Sequence, residues 1–144
     1  MRYLGLIFFI LVFNHLSAQH FHSLAQAKPG VRKLFEEAKL EAQRENTPTS
    51  ITLLLKCLEK DSILTDAWTL LGNAYYDIGE FKNALSAFKK LASLNPDYNF
   101  RVNYAFGLTA YKYGDYSLAI EKLTQYLNAS KIKGIPQEQA TKLL

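Results

Sequence analysis

GNAYYDIGEFKNA, residues 72–84, returns in altered form as GLTAYKYGDYSLA, residues 107–119. Gly72, Tyr76, Gly79 and Ala84 come back as Gly107, Tyr111, Gly114 and Ala119, each 35 positions on. An acid follows the second glycine in both copies (Glu80, Asp115), and an aromatic follows the acid (Phe81, Tyr116). Self-similarity at this period marks a chain of stacked, similar units. The glycine splits each copy into two stretches of helical apolar spacing, so the repeated element is a helix, a tight turn and a second helix.

Working outward, the copy around Gly79 is the cleaner. Thr65 is placed to cap a helix with Trp68, Leu71, Gly72 and Tyr75 on one face. Gly79 supplies the left-handed residue that ends it. Phe81, Ala84, Leu85, Phe88 and Leu91 line the return helix, which Asn95-Pro96 closes because proline cannot continue the hydrogen-bond ladder. The next pair presents Asn103, Phe106, Gly107 and Ala110, then Gly114, then Ala119, Ile120, Leu123 and Leu127. Upstream, Val31, Leu34, Phe35, Ala38 and Ala42 form one face, the helix stops near Glu45-Asn46, and Thr47 as N-cap with Pro48 as first helical residue opens a second helix carrying Ile51, Leu54, Leu55 and Leu58. Short connections make each pair antiparallel. Beyond the linker SKIKG, Pro136 opens a seventh helix, PQEQATKLL, with Ala140 and Leu143 facing inward. The expected fold is all-α, a superhelix of about three helix pairs over 31–133 (31–61, 65–98 and 100–131), with 134–144 the start of a capping helix. Two leucines end that last amphipathic segment, which suggests truncation of a longer protein.

Helices 8–10 Å apart need small residues where they cross most closely. Gly72 and Gly107 on the first helices, and Ala84 and Ala119 on the second, meet that need. Trp68, Tyr75 and Phe88 fill the wider space beside the crossing. The 13-residue repeat is thus a packing instruction rather than a catalytic motif.

The first 18 residues, MRYLGLIFFILVFNHLSA, carry one early cation and an unbroken apolar run from Tyr3 to Phe13. This is the layout of a secretory signal peptide, cleaved near Ala18. The run is too short for a bilayer core, which takes roughly 20 helical residues. Residues 19–30 have weak periodicity and end in Pro-Gly, a flexible lead-in. His20 and His22 lie there without a third ligand and make no metal site.

Composition narrows the function further. The 144 residues are 49% hydrophobic and 21% charged with net charge +4, which describes a globular chain. Lysines are interspersed with acids, and no basic run with interleaved aromatics points to nucleic acid. The single cysteine, Cys57, excludes an internal disulfide and reads as a buried, inert thiol. Asn128-Ala129-Ser130 is a glycosylation sequon lying in helix. No nucleophile–base set, paired carboxylates or phosphate loop is visible, so neither catalysis nor a cofactor is expected.

Trp68, Leu71, Gly72, Tyr75, Ala84, Phe88 and Pro96 fall at spacings that resemble the tetratricopeptide repeat. The resemblance is strongest over 65–98, where Leu91 replaces a usual alanine. It is good over 100–131, where Gly107, Gly114 and Ala119 recur but Asn103 stands in the tryptophan position, and loosest over 31–61. In this family the first-helix faces line a concave groove for an extended peptide or a partner's helix. The faces flanking the core here carry Lys39, Thr69, Asn73, Tyr76, Arg101, Tyr104, Leu108, Tyr111 and Lys112, which the resemblance makes candidates for partner contact. Such tyrosines and charges also commonly just pack and solubilise. The family's clamp for a terminal carboxylate is incomplete: Phe35, Leu70 and Ala105 occupy three of its positions, leaving Lys39, Asn73 and Arg101. More narrowly, a leader followed by repeats and the phrase KDSILTDAWTLLGNAYYDIGEFKNALSAFKKLASLNPDY is similar to the N-terminal region of Gram-negative envelope proteins that continue into a β-propeller and an OmpA-like peptidoglycan-binding domain. That implies an exported adaptor, in the periplasm, at the outer membrane or secreted, and without a transmembrane span once the leader is removed, whose partner is another envelope protein or peptide. The alternative is a structural spacer that positions downstream domains.

Overall fold

The computed structural model describes residues 21–132. The expected leader, 1–18, and the expected capping segment, 134–144, lie outside the described residues. The elements are α1 (Pro29–Gln43), α2 (Thr47–Lys60), α3 (Thr65–Asp77), α4 (Phe81–Leu94), α5 (Val102–Tyr113) and α6 (Tyr116–Ile132), preceded by a single 3-10 turn, Leu24–Gln26. Helices pack most extensively within the pairs α1–α2, α3–α4 and α5–α6. The pairs stack through α2 on α3 and α4 on α5, while α3 lies more lightly against α1 and α5. The fold is an all-α superhelix of helix pairs, as the periodicity predicts.

The three intra-pair turns are built alike. Glu45, Gly79 and Gly114 all have positive φ, at 63°, 79° and 94°. The next residue's N–H reaches back to the carbonyl five positions earlier in each: Asn46 to Glu41, Glu80 to Tyr75 and Asp115 to Ala110, all at 2.9 Å. This is the Schellman arrangement. Glutamate at the first of these positions hides the first turn's kinship to the other two.

The small residues do what the packing requires. A Cβ on Gly72 would lie 2.8 Å from the Phe88 ring, and one on Gly107 would lie 2.7 Å from Leu123 Cγ. Ala84 and Ala119 are buried on the second helices of the same pairs. The core falls into two clusters. One runs from Ala27 and Val31 through Leu54, Leu58, Leu64 and Leu71 to Ala87; the other joins Leu85 and Phe88 to Phe106, Ala110 and Ala119.

Several expectations need correction. Trp68 is only half-buried, at the edge of the first cluster, with its indole N–H donating to Ser62 O at 2.9 Å. Leu64, fully buried, takes the central place instead. Leu55 and Ile120, assigned to inward faces, are 43% and 69% exposed. Neither Thr47 nor Thr65 caps a helix: each is the first helical residue, after Asn46 and Leu64. The Thr65 hydroxyl instead donates to His22 O at 3.1 Å.

The lead-in differs most. Pro29 does not break the chain but opens α1, where its missing N–H costs nothing. Residues 21–24 run beside the α2–α3 turn in a short parallel bridge between His22 and Leu64. His22 N–H donates to Ile63 O at 2.8 Å, and Thr65 N–H donates to His22 O at 2.9 Å. Ala27 is buried in the first cluster.

Candidate partner-binding groove

The first helices α1, α3 and α5 line a concave cleft of about 460 Å³. Phe35 and Lys39 come from α1; Thr65, Asp66, Thr69, Leu70 and Asn73 from α3; Val102 from α5. Leu91 and Asn95 of α4 and its C-terminal end, Tyr98 and Asn99 of the following loop, and Leu24 complete the lining. These positions recur every three or four residues because the first-helix core face is already taken by Ala67, Leu71 and Ala74, leaving 66, 69, 70 and 73 to turn toward the cleft.

Of the sequence-derived candidates, the structure brings Lys39, Thr69 and Asn73 together in this cleft. Tyr76 and Tyr104 sit further along the same side. Burial is the first cause pushing the Tyr104 hydroxyl's pKa up, with the neighbouring Tyr76 and Tyr126 adding to it, so the three phenols are close. Tyr104 and Tyr126 rings have centroids 5.4 Å apart, and Tyr126 stacks on Phe100 at 6.1 Å. Tyr76 meets Phe81 edge-on at 5.5 Å. Arg101 lies instead in a separate recess with Asp97, Asn99 and Phe100. Tyr111 is 56% exposed and tilts against Tyr116 at 5.8 Å, away from the cleft lining. Lys112 is exposed and Leu108 half-buried, and neither lines the cleft.

Sequence reasoning missed Leu24, Leu91, Asn95, Tyr98, Asn99 and Val102. Two asparagines shape the loop through local turns: Asn95 Oδ1 accepts Asp97 N–H and Asn99 Oδ1 accepts Arg101 N–H, both at 3.1 Å. The run NPDYN, residues 95–99, is a legible loop signal, but whether it reaches the groove depends on how the pairs stack. Tyr98 donates its hydroxyl to the side-chain oxygen of buried Asn103, the residue standing in the tryptophan position. Burial raises the Tyr98 pKa, with Lys122 pulling it back down. The cleft is thus a mixed surface, apolar at Phe35, Leu70, Leu91 and Val102 and amide- or hydroxyl-bearing between them. Such a surface fits a polypeptide, with flat apolar contacts beside groups that bond a backbone.

The comparisons agree with this geometry. A family model described as tetratricopeptide repeat matches residues 65–98. Over that segment the chain is similar to a tetratricopeptide repeat. It comprises α3 and α4 with their turn, and α1–α2 and α5–α6 are further helix pairs packed in the same way. Among solved structures, the chain is similar to MamA (24% identity, TM-score 0.64, covering 78% of this chain and 73% of that one). It resembles the Sgt2 tetratricopeptide domain of Aspergillus fumigatus (19% identity, TM-score 0.66, 80% and 79%). It also resembles SycD, a type III secretion translocator chaperone of Yersinia enterocolitica (14% identity, TM-score 0.69, 81% and 88%). Of another MamA structure it spans 58%. No curated protein matches the sequence. At these identities the similarity is one of fold.

The remaining chemistry is sparse. Among the described residues no three or more His, Cys, Asp or Glu side chains converge as a metal site. No described helix is long and apolar enough to cross a membrane. Cys57 is buried with its thiol 3.6 Å from Val31 O, and burial, with nearby Asp61, pushes its pKa up to about 11. Asn128 of the sequon is exposed on α6.

Proposed function

We propose that this chain is an exported protein–protein interaction module of the cell envelope, which holds a partner segment on the concave face of its first helices. The observation that carries the reading is the continuous cleft from Phe35 and Lys39 through Thr69 and Asn73 to Val102, lined by three successive first helices. A rigid scaffold with a polar and aromatic concave face needs little reordering to bind, which favours affinity from few contacts. The leader layout of residues 1–18 supports export, and the narrower resemblance supports an envelope setting, with a β-propeller and an OmpA-like domain following in the whole protein.

Lys39→Ala combined with Asn73→Ala is expected to weaken capture of an envelope partner by about thirtyfold, the scale of a hot-spot loss near 2 kcal/mol. Retention of every partner at unchanged affinity by variants at Lys39, Thr69, Leu70 and Asn73 would remove the groove reading. Export has its own test: the intact mass of the exported protein should lack the leader, and Met1 on a cytosolic species would contradict it.

A second reading, a spacer that positions neighbouring domains, draws on the α6 surface. Leu85 is 4% exposed beneath the next pair, whereas Ile120, its counterpart 35 residues on, is 69% exposed. A face of that pattern suits docking of a further helix. On this reading the isolated module captures nothing, while shortening it disrupts the assembled protein.

A further inference from the structure

Residues 21–24 occupy a place that a partner segment would find equally suitable. The α2–α3 turn presents a carbonyl at Ile63 and an N–H at Thr65, and both pair with His22. One residue further, Asp66 Oδ2 accepts Leu24 N–H at 2.7 Å. At one end of this ledge Asp61, a largely covered carboxylate, meets His22 Nδ1 at 2.9 Å. At the other, Leu24 lines the concave cleft together with Phe35 and Thr69. The ledge therefore reads an extended main chain, an imidazole or cation over Asp61, and an aliphatic side chain two residues later.

Its present occupant is held by hydrogen bonds and the Asp61 contact more than by burial. Phe21, His22, Ser23 and Leu24 are all only half-buried, and Ala27 is the first residue fully in the core. Arg32 Nη2 donates to Ala25 O and Ala27 O at 3.1 and 3.3 Å, fixing the chain just after the part that lies on the ledge. Segments with few buried apolar contacts open locally, well below the free energy of global unfolding. A strand bonded to a turn by main-chain groups is also a generic means of capturing an extended peptide.

We infer that the Asp61–Asp66 turn is a docking ledge for an extended segment of basic–any–aliphatic pattern. The chain's own residues 22–24 fill it at rest and give way to a partner segment of the same kind. This rests on the concave cleft being a partner groove, because Leu24 is one of its lining residues. An arm that covers the ledge in about nine molecules of ten raises the apparent Kd of a competing segment about tenfold.

The test uses the full chain and a fluorescent peptide, FHSLAQAK, copying residues 21–28. His22→Pro removes the N–H donated to Ile63 and frees the ledge. The double variant His22→Gly with Leu24→Gly serves if helicity falls. The peptide is expected to bind the freed chain about tenfold more tightly than the intact chain. Adding Asp66→Ala, which removes the acceptor, should abolish that gain. In the intact chain the Leu24 and Thr65 amides should exchange hydrogen faster than the Leu71 amide in the core. Equal binding to the intact and freed chains, binding to neither, or exchange at Leu24 and Thr65 as slow as at Leu71 overturns the proposal. Alanine at Lys39, Leu70 and Asn73 separates the two readings, since these residues line the cleft and make no part of the ledge. Peptide binding that survives while partner capture is unaffected leaves the ledge and removes the groove.

Discussion

Glu45 holds φ at +63°, a conformation that its successors in the later turns, Gly79 and Gly114, adopt without a Cβ. A left-handed residue with a side chain costs roughly 1–2 kcal/mol, part of which glycine gives back through the entropy of the unfolded chain. Glu45→Gly should therefore raise stability by about 0.5–1 kcal/mol in urea unfolding. Gly79→Ala should lower it by about 1–2 kcal/mol. Cys57 gives a second prediction at this scale. Its thiol titrates near 11 in the folded chain against 9.0 ordinarily, because burial, aided by Asp61, disfavours the thiolate. Between those pH values the folded state binds more protons than the unfolded state, so this group's contribution to stability falls as pH rises through the window. Alkylation of Cys57 should stay slow at pH 8–9 in native protein and become fast only in denaturant. Rapid labelling of the native thiol at pH 8 would contradict the buried setting.

Among the elements, what the sequence discloses depends on whether a residue's fate is decided inside a helix pair or between pairs. Gly72 against Phe88 and Gly107 against Leu123 are intra-pair contacts between residues 16 apart, and their small-to-large matching is legible in the repeat itself. Ile120 has the same helical phase as Leu85, so periodicity assigns both inward, but among the described residues only Leu85 has a further pair stacked on it. Leu85→Ala should cost about 2–5 kcal/mol and Ile120→Ala less than about 0.5 kcal/mol, read from urea midpoints. A comparable loss at both positions would mean that α6 is covered in solution. The lead-in was illegible for a related reason. Its order comes from main-chain bonds to the α2–α3 turn some 40 residues away, and no apolar period records those. The cleft is half legible: Lys39, Thr69 and Asn73 follow from the first-helix face, whereas Leu24, Asn95 and Tyr98 arrive from loops whose placement the stacking decides.

At the level of the whole molecule, the three helix pairs among the described residues nest where small residues let them approach, and their first helices thereby align into one concave wall. The wall exists only while neighbouring pairs stay in register, since each pair buries its apolar face against the next. Function and stability are coupled here through the same close approach: widen the α3–α4 crossing and the α3 face, with Thr69, Leu70 and Asn73, turns relative to α1 and α5. Two leucine substitutions test this most directly. A Cβ added at Gly30 would have nothing within 4 Å, while one at Gly72 already meets the Phe88 ring at 2.8 Å. Urea unfolding of Gly72→Leu should show a loss of at least about 1–3 kcal/mol. Gly30→Leu should leave the midpoint unchanged or raise it, as a better helix former. Equal midpoints for the two variants and the parent chain would contradict the nested stack, and the concave wall with it.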